Sequence, residues 1–520
     1  MFVHASLRAL YQTVWFAATP FLRCHARLRE GFGERVVPPH WPYGLQETGT
    51  PPPPDSPDNQ KNIPQDGNPQ PAPDNSPPEG LRIWMQAASG GEATLVRAIA
   101  HALRQKASAA DAPLTLVTTT CTAQGLSVLL KLEREFSAFE QGAGNNAVRV
   151  LPRYFPLDAP ATMRRALAQA SPHLIVLLET ELWPGLLHEA KQAGIPYMVL
   201  NGRMTEKSVQ GFSRFSSFFL AHPPCAVTVT TEGNAKRFCQ TFGLEHVEVV
   251  PNIKFALALD TLDALEAAPA GDVSLPTARE LAGIGADVPL AVFASVRKEE
   301  EEALFPAICA LAGMVIDERP VCCIVAPRHM HRVRAWKKRF ERAGISVCLR
   351  SSCNRGEPGT ATEKNAPSAE KVLPALSPGM NTRVVVWDTF GEMRAVYTAA
   401  DTVAVGGSFA PLGGQNFLEP LAAGVLPLTG PSWENFDWVG NAVVEQGLLQ
   451  IIPEPQELVG AMLCAMRTRL GPDPLAWQAD RAGAAEKVRA RFRAFLLPFT
   501  HGAGQNAAIL RERLHFAMFG

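Results

Sequence analysis

Six segments of this chain put charged or glycine residues directly after a short apolar run. Ser89-Gly90-Gly91-Glu92 follows Ile83–Ala87, and a helical stretch opens at Ala93. The glycine pair permits a sharp turn and close approach of a ligand. Glu92 then stands either where a substrate reaches it or as an acid favoured by the helix dipole. Glu179-Thr180-Glu181-Leu182-Trp183-Pro184 ends the very apolar run Leu174–Leu178. A carboxylate emerging from a buried strand costs free energy unless it has a partner or a task, so function is favoured there over helix capping. Pro251-Asn252-Ile253-Lys254-Phe255 follows Val247–Val250. Lys254 either faces a cleft near a domain junction or is simply solvated.

The second half of the chain repeats the arrangement. Pro327-Arg328-His329 follows Val321–Ala326, and a guanidinium at such a strand end suits a phosphate or carboxylate. Asp388-Thr389-Phe390-Gly391-Glu392-Met393 follows Val384–Trp387. Gly391 bares backbone amides at a helix start, which suits an anion. Glu392 either accepts a hydrogen bond from a sugar or base, or is an N-terminal helix carboxylate. The most specific segment is Gly406-Gly407-Ser408 followed by Gly413-Gly414-Gln415-Asn416-Phe417-Leu418-Glu419-Pro420. A glycine pair before a helix presents free N–H groups as a phosphate cradle, and Glu419 is spaced to accept two ribose hydroxyls.

The elements that must position these segments read as an alternation. Short, nearly continuous apolar runs occur at Ile83–Ala87, Leu114–Thr118, Leu174–Leu178, Tyr197–Leu200, Ala226–Thr230 and Val247–Val250. That is the signature of strands covered on both faces. Helical stretches separate them; in one, Leu95, Ile99, Ala102 and Leu103 share a face. The pattern restarts at Leu290–Ala294 and continues through Val321–Ala326, Val384–Trp387, Thr402–Val405 and Leu426–Leu428. The alternation predicts an α/β protein with two doubly wound, Rossmann-like domains, spanning about 80–260 and 286–480 and joined near 256–289, with C-terminal helices over 481–520. Ligands in such sheets bind beyond the carboxyl ends of the strands, and the cleft between two such domains is the expected site.

Bulk properties narrow the function. Among 520 residues the formal net charge is -1, which excludes a general nucleic-acid binder. The ten cysteines form no CxxC pair, so reduced, buried thiols fit better than a disulfide scaffold. Residues 51–80 hold 11 of the 44 prolines, so 48–79 reads as a disordered linker. Residues 351–381 read as a flexible surface insertion. Residues 1–38 contain an apolar stretch, Leu7 to Leu22, flanked by Arg23, His25, Arg27 and Arg29. It is short for a bilayer span and lacks a cleavage pattern. An interfacial or marginally spanning anchor on the cytoplasmic side of the membrane is expected, the alternative being a helix packed on the protein itself. On the anchor reading, a chain starting near Gly80 keeps its folded core.

Several motifs are missing. There is no P-loop, no GxGxxG fingerprint, no Asp-x-Asp and no zinc-ligand spacing. In their place, Ser89–Glu92, Thr118–Thr122, Glu179–Pro184, Asn201–Ser208, Asn252–Phe255, Pro327–His329, Asp388–Met393 and Gly413–Pro420 occur in order. Together with Phe32-Gly33-Glu34-Arg35, this set resembles the transferases of 3-deoxy-D-manno-octulosonate (Kdo) in lipopolysaccharide synthesis, of glycosyltransferase family 30 type. The chain departs from that pattern at Gly90, at Gln415 and Phe417, and in Ser295-Val296-Arg297-Lys298-Glu299-Glu300, which lacks a glycine.

The resemblance implies a GT-B fold and an inverting transfer of Kdo from CMP-Kdo to a lipid A precursor. It implies that Glu92 is the general base and that Glu179 and Lys254 stabilise the transition state. It places CMP on Pro327, Arg328, Phe390, Gly391, Glu392, Asn416, Phe417, Leu418 and Glu419. CMP carries one phosphate, so fixed cations and helix N-termini are expected to replace a metal, and no cofactor is expected. The expected partners are CMP-Kdo, the lipid acceptor and the membrane surface. Two other readings remain: a GT-B enzyme using a UDP-sugar, as transferase or epimerase, and a catalytically silent nucleotide-binding scaffold at the membrane.

Overall fold

A computed structural model of the chain describes residues 2–23, 30–36, 80–106, 112–140, 148–267, 277–353 and 383–519. The 48–79 linker and residues 354–381 of the expected insertion lie outside the described residues. Contacts divide the chain into two units, Met1–Ile253 with His501–Gly520, and Lys254–Thr500.

The first unit is built on seven parallel strands: β1 (Leu81–Ala87), β2 (Leu114–Thr120), β3 (Val148–Tyr154), β4 (Leu174–Leu178), β5 (Tyr197–Gly202), β6 (Ala226–Val229) and β7 (Glu248–Val249). Their order is β3-β2-β1-β4-β5-β6-β7. The winding therefore reverses at β1, and β4 lies directly beside it, with Gln86 opposite Leu177. β4 and β5 are buried along their whole length, which explains their unbroken apolar runs. Ser89 caps the helix Gly90–Gln105, which buries Leu95, Ile99, Ala102 and Leu103 as its periodicity predicts. The last helix, Gly502–Phe519, joins this unit: the buried Thr228 hydroxyl donates to Asn506 Oδ1 at 2.5 Å.

The second unit is also α/β. Its strands are β8 (Leu290–Val296), the short hairpin β9 (Val315–Ile316) and β10 (Arg319–Pro320), β11 (Cys322–Pro327), β12 (Val347–Leu349), β13 (Val384–Val386), β14 (Thr402–Val405), β15 (Pro427–Thr429) and β16 (Gln450–Ile451). Seven of them form a parallel sheet in the order β12-β13-β11-β8-β14-β15-β16. Here the winding reverses at β8, beside β14. Buried Asp401 ties the layers together, accepting from Arg481 Nε at 2.6 Å, Arg279 Nη2 at 3.2 Å and Leu290 N at 2.8 Å.

The N-terminal segment differs from the expected anchor. A helix does span Phe2–Leu22, but among the described residues no helix is long and apolar enough to cross a membrane. The helix docks on the first unit. Tyr11 donates to Asp158 Oδ2 at 2.8 Å, and Gln12 Oε1 accepts from Ala161 N at 3.0 Å. Tyr11, Trp15, Ala18 and Leu22 form the half-buried stripe, one residue every three or four. Farther along, Gly31 lies so close to Tyr154 that a Cβ there would come within 2.0 Å of the ring. Arg35 is 1% exposed, with its guanidinium 4.2 Å from the Tyr154 ring centroid. It donates to Phe155 O at 3.3 Å and Cys121 O at 2.9 Å. Residues 2–23 and 30–36 thus pack on the first unit, where Arg35 completes carbonyls that lie one residue past β2 and β3.

Arg35→Ala would leave the carbonyls of Glu30, Cys121 and Phe155 without this donor and remove a buried cation–π contact. We expect a loss of about 2–3 kcal/mol in urea unfolding with an unchanged m-value. A chain cut at Gly80 should be less stable than the intact protein, and equal midpoints would show that the docking contributes nothing.

Candidate active site

The reversal at β1 separates the loops that leave β1 and β4, and opens a crevice at their carboxyl ends. Both carboxylate motifs of the first unit lie there. Glu92 stands in the first turn of the helix Gly90–Gln105, its N–H directed to Ser89 Oγ at 3.4 Å. Its carboxylate oxygen Oε2 accepts from Ala88 N at 2.6 Å. Ala88 N and the helix dipole fix the carboxylate at the strand end, so the two readings of Glu92 describe one placement.

Glu179 caps β4 in the left-handed region, at φ +57. A bulky L-residue held there stores strain, and such residues concentrate at functional loops. Its N–H donates to Leu200 O at 3.0 Å, which fixes the backbone against β5. Glu181, the second carboxylate of the motif, was not among the expected site residues. It accepts from Trp183 Nε1 at 2.8 Å. Burial, and then the charge of Glu92, push the Glu181 carboxyl up to about 7. At neutral pH this group therefore exchanges its proton beside Glu92. Beneath them lies a buried polar chain. Trp84 Nε1 donates to Thr119 Oγ1 at 2.7 Å, and Thr119 Oγ1 donates to Gln86 Oε1 at 2.6 Å. At the far side of the loop, Asp158 accepts from Gly185 N at 2.8 Å and Leu186 N at 2.7 Å, pinning the helix start after Pro184.

Asn201 is left-handed too, at φ +57, and its Oδ1 accepts from Ile253 N at 3.0 Å. That bond holds the chain one residue before Lys254. Lys254 itself opens the helix Lys254–Glu266 of the second unit, with Nζ 6.0 Å from the Trp438 ring centroid.

In the second unit the reversal at β8 brings together the loops after β8 and β14. Glu300 is fully buried and accepts from Gly407 N at 2.6 Å, Phe409 N at 3.2 Å and Arg297 N at 2.7 Å. Burial raises its pKa and these amides oppose the rise. A Cβ on Gly406 would lie 2.4 Å from Glu300 Oε1, so only glycine fits under the loop. Glu300 thus takes the Gly407 and Phe409 amides from below, while the amides of the glycine pair expected to cradle a phosphate donate within the protein, Gly413 N to Ser432 Oγ at 2.9 Å and Gly414 N to Gly407 O at 2.7 Å. Asn416 Nδ2 donates to Glu419 Oε1 at 2.9 Å. Burial raises Glu419, and the charge of Arg328 opposes the rise, so the two groups share one neighbourhood. Arg328 is exposed beyond β11, next to buried Pro327. Phe390 is 82% exposed, whereas Glu392 pairs with Arg350 Nη2 at 3.1 Å.

Two expected ligand contacts need correction. Phe417 is fully buried and packs 5.1 Å from Phe436, and Leu418 is 6% exposed in the same core. Their side chains serve the hydrophobic core, which leaves only their backbone to face a ligand. Among the described residues, no three His, Cys, Asp or Glu side chains are grouped to hold a metal ion.

Comparison with known proteins bears on the same regions. Residues 55–257 match the family described as 3-Deoxy-D-manno-octulosonic-acid transferase (kdotransferase). A 3-deoxy-D-manno-octulosonic acid transferase of Bordetella pertussis is 29% identical over 424 residues, 79% of this chain and 86% of the relative. One from Haemophilus influenzae is 27% identical, over 72% of this chain and 76% of its own length. A solved C-terminal CMP-Kdo binding domain from Acinetobacter baumannii aligns over 47% of this chain and 99% of its own, at 20% identity and a TM-score of 0.29, too low to carry weight. Over most of its length the chain is thus similar to proteins named as 3-deoxy-D-manno-octulosonic acid transferases, and it carries their motifs in order.

Proposed function

We propose that the chain transfers Kdo from CMP-Kdo to a lipid A precursor of the lipid IVA type, with inversion, at the cytoplasmic face of the inner membrane. The observation that carries this reading is the meeting of the Ser89–Glu92 and Glu179–Trp183 loops at one switch point, inside the region that matches the family. Inversion needs one base to take the acceptor hydroxyl's proton as its oxygen attacks. Glu92 has that role. Glu181, pushed up to about 7 by burial and by the charge of Glu92, carries only part of a negative charge beside it near neutral pH. Glu179 favours the positive charge that develops at the anomeric centre.

The donor occupies the second unit. Arg328 meets its phosphate or its sugar carboxylate, and Glu419 meets the ribose hydroxyls. Pro327, Phe390, Gly391, Glu392 and Asn416, with the backbone of Phe417 and Leu418, frame the nucleotide. Lys254 adds a second cation for the departing CMP. A leaving group with a single phosphate can be neutralised by such fixed cations without a divalent metal.

Membrane contact follows from the N-terminal helix. Its outward face carries Val14 (55% exposed), Phe16 (80%) and Phe21 (80%) while the opposite stripe is docked. An apolar face beside Arg23 suits the interface of an anionic bilayer.

Incubating the purified protein with CMP-Kdo and a tetra-acylated lipid A precursor should give a Kdo-extended lipid by mass spectrometry, undiminished by excess EDTA. Transfer from a UDP-sugar instead would overturn the donor assignment, and loss restored by Mg²⁺ would overturn the metal-free mechanism. Glu92→Gln should lower kcat by roughly 10²–10⁴ while CMP-Kdo binding holds; near-normal turnover would remove Glu92 from the base role. Replacing Val14, Phe16 and Phe21 together by serine should reduce flotation with anionic liposomes and leave the melting temperature in place. Unchanged flotation would move the membrane surface elsewhere.

A further inference from the structure

Two thiols lie behind the Asp388–Glu392 loop. Cys348 in β12 and Cys353 bracket the single 3-10 turn Arg350–Ser352, and their sulfurs are 3.5 Å apart. Both are half-buried, and neither is in a disulfide. The bracketed turn is what grips the loop. Ser351 N donates to Asp388 Oδ1 at 2.8 Å, and Ser351 Oγ to Asp388 Oδ2 at 2.6 Å. Arg350, buried with its guanidinium 5.4 Å from the Trp387 ring centroid, donates to Glu392 Oε1 at 3.1 Å. A change of spacing between the two sulfurs is therefore passed directly to Asp388 and Glu392.

We propose that Cys348 and Cys353 form a reversible oxidation site for hydroperoxides, and that closing the disulfide loosens the Asp388–Glu392 loop and weakens nucleotide binding. A disulfide needs sulfurs at about 2.05 Å, so roughly 1.5 Å must be taken up within the turn. The steps balance. The Cys353 thiolate attacks one peroxide oxygen, the O–O bond breaks, and the departing oxygen leaves as water after protonation. The resulting sulfenic acid is attacked by the Cys348 sulfur, the S–O bond breaks, and a second water leaves. Two electrons pass from the thiol pair to one hydrogen peroxide, and a dithiol reductant reverses the change. The hydrogen bond from Cys348, with Arg350 nearby, holds the Cys353 thiol below the usual range, which suits the attacking role.

The effect on nucleotide binding rests on the donor-site reading above; the thiol chemistry does not. The test treats the full-length protein with hydrogen peroxide and maps its tryptic peptides. Cleavage after Arg350 separates Ala343–Arg350 from Ser351–Arg355 unless a disulfide joins them. The joined pair should form before the exposed Cys225 and Cys464 are oxidised, and dithiothreitol should separate it. CMP affinity, read by calorimetry, should fall about tenfold on oxidation and recover on reduction. Cys353→Ser should bind CMP like the reduced protein and stay insensitive to peroxide. Oxidation of Cys225 and Cys464 with no joined peptide would overturn the proposal. A joined peptide with unchanged CMP affinity would overturn its effect on the loop. If the reduced protein binds no CMP at all, the donor-site reading fails, while the peptide map still decides the thiol chemistry.

Discussion

In a parallel sheet, each strand is joined to the next by a chain that crosses a whole layer, and the crossover keeps one hand. Where the chain begins to wind the other way, two neighbouring loops leave for opposite faces and nothing fills the gap between them. This constraint organises both units. In the first it falls between β1 and β4, and in the second between β8 and β14. Glu92, Glu179 and Glu181 border the first gap; Ser295, Glu300 and Gly406–Ser408 border the second. Residues 85 or more apart in sequence become neighbours because two strands are adjacent, not because of any local preference.

Buried charge is then the main energetic liability, and the structure handles it differently in the two units. In the second, Glu300 is surrounded by backbone amides, so its ionised form keeps the hydrogen bonds it would have in water. That is a structural use of a carboxylate: it fixes a glycine loop. In the first, Glu181 receives an indole N–H and lies beside Glu92, and repulsion adds to burial. A pair in that situation relieves itself by holding a proton. The difference separates a carboxylate held by backbone amides from one on which burial and a like charge act together.

Central strands were legible in the sequence, and of the four strands at the edges of the two seven-stranded sheets only β7 was. β1, β4, β5, β8 and β11 are largely buried and read as nearly continuous apolar runs. β3 contains Arg149, Pro152 and Arg153, and β12 and β16 are three and two residues long. All three lie at sheet edges, where one side needs no partner and proline is tolerated. The site shows the same division. Glu92 and Glu179 stood out because each follows a buried run. Glu181 stood beside Glu179 in the same motif, but its interaction with Glu92 exists only once β4 pairs with β1. Glu300 sits in the charge run Lys298–Glu302, which reads as a solvated face until the glycine loop is laid over it. Phe417 and Leu418 came in with the motif around them, and packing against Phe436 gives them to the core.

The N-terminal segment shows how one stretch can carry two signals at once. An apolar run too short to span a bilayer suits an interfacial anchor and equally a helix packed on the protein. The structure supports docking along one stripe, where Tyr11 meets Asp158 and Arg35 sits under Tyr154. Docking consumes only that stripe, and Val14, Phe16 and Phe21 on the other side remain uncovered. Asp158 accepts from Tyr11 with the same carboxylate that pins Gly185 and Leu186, just after the Glu179–Trp183 loop. Any force on the outer face of this helix therefore reaches the carboxylate loop through one buried side chain, pushed up to about 7 by burial.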